Sequence, residues 1–122
     1  MDSAQFWVEI NGGLIIARIR GVPTEDLLRE CQDRVVQLVS DTGRGKVLYD
    51  ALELDLPTVE PALIQQKLES ELASSVQLRR AIVVPNTRVA FLARLAFGEG
   101  DYRVFYNDIS SAIRWLEQEP SA

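Results

Sequence analysis

Four carboxylates in the middle of the sequence are the first candidates for chemistry. Asp50, Glu53, Asp55 and Glu60 lie within one short stretch, and oxygen ligands grouped in this way suit Mg²⁺ or Ca²⁺. Apolar residues alternate with these acids, however, and this pattern is also typical of a short strand or loop whose acids face solvent. Because no second acidic cluster and no glycine-rich cation loop accompanies them, the sequence favours solvated carboxylates and predicts no metal site.

The residues that most often carry catalysis at neutral pH are largely missing. The sequence contains no histidine and one cysteine, Cys31, which removes the Ser-His-Asp and Cys-His pairs and all histidine-based metal sites. Cys31 lies at helical spacing from Leu28 and Val35, so we expect a small core residue rather than a nucleophile. Carboxylate, lysine and tyrosine chemistry stay open, but the sequence predicts a non-catalytic protein without metal or cofactor.

Length and charge narrow the classes of partner. The 122 residues, 47% of them hydrophobic and 25% charged, suit one globular domain spanning residues 1–122. A net charge of −5 argues against a surface that neutralises nucleic-acid phosphates. Because no apolar run is long enough to cross a bilayer, we expect no transmembrane segment and a cytoplasmic location.

The first half of the sequence reads as a hairpin, a helix and a strand. Strand-like alternation over 5–10 is followed by Asn11-Gly12-Gly13 and a second strand over 14–20, which is a hairpin signal. Thr24 can cap a first helix that ends at Gly43. Lys46 to Tyr49 is predicted to be a third strand, parallel to its neighbour because a helix makes the crossover.

The second half repeats the alternation of helix and strand. Pro57 and Thr58 introduce a second helix, residues 81–84 a buried strand, and Asn86 or Thr87 a third helix ending at Phe97. A fifth strand over 102–106 precedes a last helix capped by Asp108 or Ser110. We therefore predict an α/β mixed sheet in the order ββαβαβαβα. Its predicted buried strand residues are Ile15, Val47, Leu48, Ile82, Val83 and Val104.

Three segments give this order of elements a family likeness. The run 80–84, the following helix with its arginines and phenylalanines, and the pair 102–105 and 112–116 resemble the SpoIIAA-like family of STAS domains. That family is named for sulfate transporters and anti-sigma-factor antagonists, and the likeness in sequence is concentrated in the C-terminal third. The resemblance implies a fold of about five strands with helices, sometimes linked by fold to lipid-binding Sec14-type domains, in a family whose members mostly have no assigned activity. It does not imply catalysis.

In the anti-sigma antagonists a phosphorylatable serine stands at the start of the helix that follows the third strand in this order. The stretch 50–57 has no serine here, and the nearest hydroxyl is that of Thr58. We predict that Thr58 is the N-cap of the second helix, and the alternative is a regulatory phosphosite.

The third helix is the strongest candidate for a functional surface, because it is apolar nearly all round. Its polar residues are Arg88 and Arg94, and its apolar residues include Val89, Phe91, Leu92, Leu95 and Phe97. Such a helix needs a second partner besides the sheet unless neighbouring helices of the same chain cover it. The sequence therefore predicts a homodimer face or the surface for a regulatory protein, or alternatively one wall of a site for a small apolar or lipid-like ligand. Phe91, about 100° from Leu92 on the helix, is expected to point away from the sheet.

Overall fold

The computed structural model describes residues 4–72, 76–98 and 100–118, and these form one five-stranded sheet with four helices. The predicted order of elements is confirmed. The strands are β1 (Gln5–Asn11), β2 (Leu14–Gly21), β3 (Lys46–Leu54), β4 (Arg79–Val84) and β5 (Tyr102–Tyr106), and the helices are α1 (Glu25–Thr42), α2 (Glu60–Ser70), α3 (Thr87–Phe97) and α4 (Ile109–Glu117). None of the described helices combines the length and the apolar character needed to span a membrane.

The sheet begins with the predicted hairpin and continues with parallel strands. The strands lie side by side in chain order, with β1 antiparallel to β2 and every later pair parallel. Gly12 adopts a positive φ of 63° in the hairpin turn, a backbone conformation that glycine takes without steric cost. No helix interrupts the segment between β1 and β2, as expected.

Three helices pack on one face of the sheet and one helix packs on the other. The larger apolar cluster joins one face to α1, α2 and α3 through residues such as Cys31, Ala62 and Val89. A smaller cluster joins the opposite face to α4 through Ala112 and Leu116. Crossovers of one hand that always step in the same direction along the sheet put their helices on the same side, which explains this three-to-one division.

The central strands are buried as the sequence predicts, and the edge strands are less buried. Ile15, Val47, Leu48, Ile82 and Val83 are buried. Val104 is half-buried because β5 is an edge strand. Ile10 lies on the same face as Phe6 and Val8 but at the hairpin end of the other edge strand, where it remains 47% exposed.

Two predicted boundaries are wrong. The third strand continues beyond Tyr49 to Leu54, through a shift of register against Arg18 and Arg20. The Asp50 carboxylate accepts a hydrogen bond from the Leu52 amide at 3.1 Å and stabilises this irregular segment.

Thr58 does not cap α2. The helix begins at Glu60, its N-cap is Val59, and no side chain caps it. The Val59 carbonyl accepts the first helical hydrogen bonds, from the Ala62 and Leu63 amides. Pro61 fits the first turn, where an amide hydrogen is not needed.

A buried ion pair ties α2 to the sheet. Arg80 on β4 donates a hydrogen bond to Glu69 on α2, and both side chains are largely buried. The Arg80 guanidinium also lies 4.6 Å from the centre of the Phe97 ring. At Gly100 a Cβ atom would stand 2.8 Å from a guanidinium nitrogen of Arg80, so a side chain there would force the Arg80 guanidinium to move.

Removal of one partner of this pair is expected to destabilise the fold strongly. Glu69→Ala leaves the Arg80 charge buried without a counter-ion and should lower the free energy of unfolding by about 3–5 kcal/mol. Urea denaturation checks this value. The matched control is Glu71→Ala, two residues further on, which removes the exposed ion pair with Arg29 and should change stability little. Equal losses in the two variants would contradict a structural role for the buried pair.

Candidate binding surface on the third helix

Both ends of α3 are well defined by its sequence. The Asn86 side chain accepts a hydrogen bond from the Val89 amide at 2.9 Å, which satisfies one of the free amides of the first turn. Gly98 ends the helix at a positive φ of 59°, and its amide donates to the Arg94 carbonyl. These caps fix the direction in which each side chain of the helix points.

The inner side of α3 belongs to the core. Val89 and Leu92 are buried, and Leu95 and Phe97 are half-buried and packed against the same cluster. The Phe97 ring lies 5.6 Å from that of Tyr49 and 5.9 Å from that of Tyr102. Most of the apolar surface of α3 is therefore covered within the chain itself.

The outer side of α3 presents one large apolar residue between two cations. Phe91 is 64% exposed, the largest exposed fraction among the large apolar residues that the structure describes. Arg88 and Arg94, three residues away on either side, are also exposed. Since residues three apart share a helix face, Phe91 lies in a basic setting.

Two further exposed apolar residues lie at the start of α2, the helix next to α3. Arg88 donates hydrogen bonds of 3.0 Å to the carbonyls of Leu56 and Pro57, and Gln66 donates to the Leu95 carbonyl at 3.2 Å. These contacts place α2 and α3 side by side in the same direction. Leu63, one turn before Gln66, is therefore level with Phe91, one turn before Leu95.

Val59 and Leu63 are each 47% exposed and lie four residues apart, on one face of the start of α2. With Phe91 on the neighbouring helix they are the exposed apolar residues of this side, here named the Phe91 seam. The sequence prediction did not include Val59 and Leu63. Their spacing of four residues was a usable signal, because it puts both on one helix face, apart from the buried Leu68.

A cavity lies on the other side of α3, between the helices and the sheet. Its volume is about 70 Å³, and its walls are mainly apolar, with Leu92, Ala93, Ala96 and Phe97 contributed by α3. α3 therefore separates this partly open apolar space from the exposed seam.

The acidic residues at the end of β3 are engaged by arginines. Glu53 accepts a hydrogen bond from Arg18 at 2.6 Å and forms an ion pair with Arg20 at 3.3 Å, and Asp50 lies 4.0 Å from Arg18. Asp55 and Glu60 are exposed. Among the residues described, no group of three or more side chains is arranged to hold a metal ion.

Thr58 and the two tryptophans lie outside the Phe91 seam. Thr58 is exposed just before the N-cap of α2, so its hydroxyl is accessible. Trp7 is exposed on the edge strand β1, where the Arg18 guanidinium lies 5.4 Å from its ring centre. Trp115 packs on α4, 3.7 Å below the Arg79 guanidinium. These contacts account for both tryptophans as packing or surface residues.

Cys31 is a core residue in the structure. It is 2% exposed, and burial raises the pKa of its thiol from 9.0 to about 12. The thiolate is the nucleophilic form, so this environment suppresses reactivity. Burial likewise raises the pKa of the neighbouring Tyr49 hydroxyl.

The whole described architecture is similar to two solved structures. No protein-family model and no curated protein matches this sequence. An anti-sigma factor antagonist from Mycobacterium paratuberculosis superposes with a TM-score of 0.66 at 13% identity, over 95% of this chain and 96% of that one. An uncharacterised protein with a SpoIIAA-like fold from Shewanella loihica gives 0.65 at 20% identity, over 95% and 98%. The chain therefore has the SpoIIAA-like fold that the sequence predicted.

The environment of Cys31 leads to a prediction about its reactivity. At pH 8 the folded protein should react with a disulfide reagent such as DTNB far more slowly than the urea-unfolded chain, because the buried thiol stays protonated. Absorbance of the released thiolate measures both rates. The raised pKa also predicts that the stability contributed by the neutral thiol is intact below about pH 9 and declines as the pH rises towards 12. Rapid labelling without unfolding would contradict the buried position.

Proposed function

We propose that this chain is a non-catalytic regulatory module that binds another protein through the Phe91 seam. The observation that carries the proposal is the exposure of Phe91, 64% of whose surface is open to solvent on a helix that is otherwise packed. A large apolar residue set in a polar rim is the usual form of an interaction hot spot. Val59 and Leu63 enlarge the apolar strip.

The chemistry of the side chains supports a binding role over catalysis. The sequence has no histidine, and its one thiol is buried with a raised pKa. Asp50 and Glu53 share Arg18 as an ion-pair partner. These groups therefore give catalysis less support than binding.

The solved structures support a regulatory role. One of the two similar proteins is an anti-sigma factor antagonist, a name that describes action on a regulatory protein. This likeness extends over nearly the full length of both chains. It supports the proposal that the present chain also acts through a protein partner.

A second copy of the chain is the partner that we propose to test first. A twofold contact is formed by the same surface on both subunits, so it would cover Val59, Leu63 and Phe91 of each copy with apolar surface. Arg88 and Arg94 would lie at the rim, where solvent and salt screen their repulsion. A different protein with acidic residues around an apolar pocket would satisfy the same surface.

The alternative of a lipid-like ligand has less support. The cavity beneath α3 measures about 70 Å³, whereas pockets for drug-sized ligands measure roughly 300–1,000 Å³. A long acyl chain does not fit such a volume. The cavity therefore favours a protein as the main partner, and limits an internal ligand to a compact molecule.

Phe91→Asp is expected to break the contact and to preserve the fold. Burial of a phenylalanine side chain is worth roughly 1.5–3 kcal/mol, and a twofold dimer loses two of them, so its dissociation constant should rise by about a hundredfold or more. Light scattering over a range of concentrations measures the dimer, and thermal melting measures the fold.

The matched control is Ile10→Asp. Ile10 is also apolar and 47% exposed, but it lies at the end of the hairpin, so its variant should keep the wild-type dissociation constant. A wild type that stays monomeric at every concentration would contradict the homodimer. Unfolding of Phe91→Asp would show that Phe91 is a structural residue and would contradict its role at a surface.

A further inference from the structure

We infer that the cavity between α3 and the sheet is a binding site for a compact apolar molecule, such as a short hydrocarbon or a dissolved apolar gas. This site develops the small-ligand alternative raised above and does not depend on docking at the Phe91 seam. Its volume is about 70 Å³. Natural cores contain few voids larger than a water molecule, so a space of this size in the centre of a small domain is unusual.

The cavity originates in the sequence as a convergence of small residues. Ala17 on β2, Ala51 on β3, Ala62 on α2 and the pair Ala93 and Ala96 on α3 all contribute to its wall. Larger aliphatic residues, for example Ile82 and Leu92, line the same cavity. The space therefore exists because alanines from both helices and strands face the same point.

The chemistry of the wall favours an apolar guest over water. A bound water needs two to four polar partners, and three of the polar side chains at the wall already have partners within the chain. Gln65 donates to Gln32 at 2.9 Å and to Glu69 at 3.0 Å, and Gln32 donates to the Leu68 carbonyl at 2.9 Å. The Asp50 carboxylate accepts from the Leu52 amide. An apolar guest would gain contacts that water cannot make there.

The size of the space fixes the class of guest. An engineered apolar cavity of about 150 Å³ in another protein stays dry and binds benzene or xenon. The present cavity has about half that volume, which suits a single xenon atom or a molecule smaller than benzene. It excludes sugars and nucleotides by polarity, and fatty acids by length.

The position of the cavity agrees with the general placement of ligands in α/β sheets. Its wall includes Ile19 and Leu54, near the carboxyl ends of β2 and β3, and Pro23 and Pro61, next to the starts of α1 and α2. Ligands of open α/β sheets bind outside the carboxyl ends of the strands. Entry between the first turns of α1 and α2 would lead into the cavity from that edge.

Xenon is the probe, and the experiment compares the wild type with a variant whose cavity is filled. Under rising xenon pressure the methyl resonances of wild-type Ile82, Val89 and Leu92 should shift and saturate. Ala93→Leu places a larger side chain in the space and should weaken xenon binding at least tenfold while the melting temperature holds or rises. Ala62→Val fills the opposite wall and serves as a second variant if Ala93→Leu fails to fold.

The control is Ile10→Asp, at the hairpin end and outside the wall of the cavity, which should leave xenon binding unchanged. No saturable shift in the wild type would overturn the inference, and so would equal binding by the wild type and a folded, filled variant. Detection of ordered water in the cavity by nuclear Overhauser effects would overturn it as well. A negative result with xenon leaves the dimer test of Phe91→Asp unaffected, so the two proposals fail separately.

Discussion

The order of the strands is the constraint on which the rest of this structure depends. Because the sheet grows in one direction from β2 to β5, crossovers of one hand deliver α1, α2 and α3 to the same face. α4 alone is left for the opposite face, and it covers the side of β3, β4 and β5. In the part of the chain described, no helix therefore covers the hairpin half of that face. There Arg18 contacts both Trp7 and Glu53. Antiparallel strands tolerate such one-sided exposure, whereas central parallel strands do not.

The crowded face is held in register by a chain of polar contacts as well as by apolar packing. Gln32 on α1 accepts from Gln65 on α2, Gln65 also donates to Glu69, and Glu69 pairs with Arg80 on β4. These contacts join α1, α2 and β4 next to the cavity, where the alanines leave the core loosely packed. A buried network of this kind specifies one arrangement of its helices, because any other leaves its members without partners. Its cost is the buried Arg80 Nε, which has no hydrogen-bond partner.

Local patterns predicted most of the fold, and the failures concern contacts between distant parts of the chain. Thr24, Gly43 and Asn86 act at the helix ends where the sequence placed them, because caps are decided by a few adjacent residues. The extension of β3 to Leu54 depends on pairing with β2, which no local pattern contains. The ion pair between Glu69 and Arg80 and the size of the cavity likewise depend on how α2 packs against the sheet. At the candidate site, helical spacing correctly predicted the outward position of Phe91 and missed Val59 and Leu63, whose exposure depends on the neighbouring helix.

The two sides of α3 are physically connected through the helix itself. Phe91 faces solvent and the next two residues, Leu92 and Ala93, border the cavity, so one rigid turn separates the two proposed sites. Arg88 holds the start of this helix to the Leu56 and Pro57 carbonyls, and Gln66 holds its last turn. A partner that shifts α3 on its outer side must change the shape of the cavity on its inner side. By linkage, a guest and a partner that influence each other do so by the same factor in both directions. The apolar space beneath the proposed interaction helix thus offers a place from which a small molecule could alter binding without touching the partner.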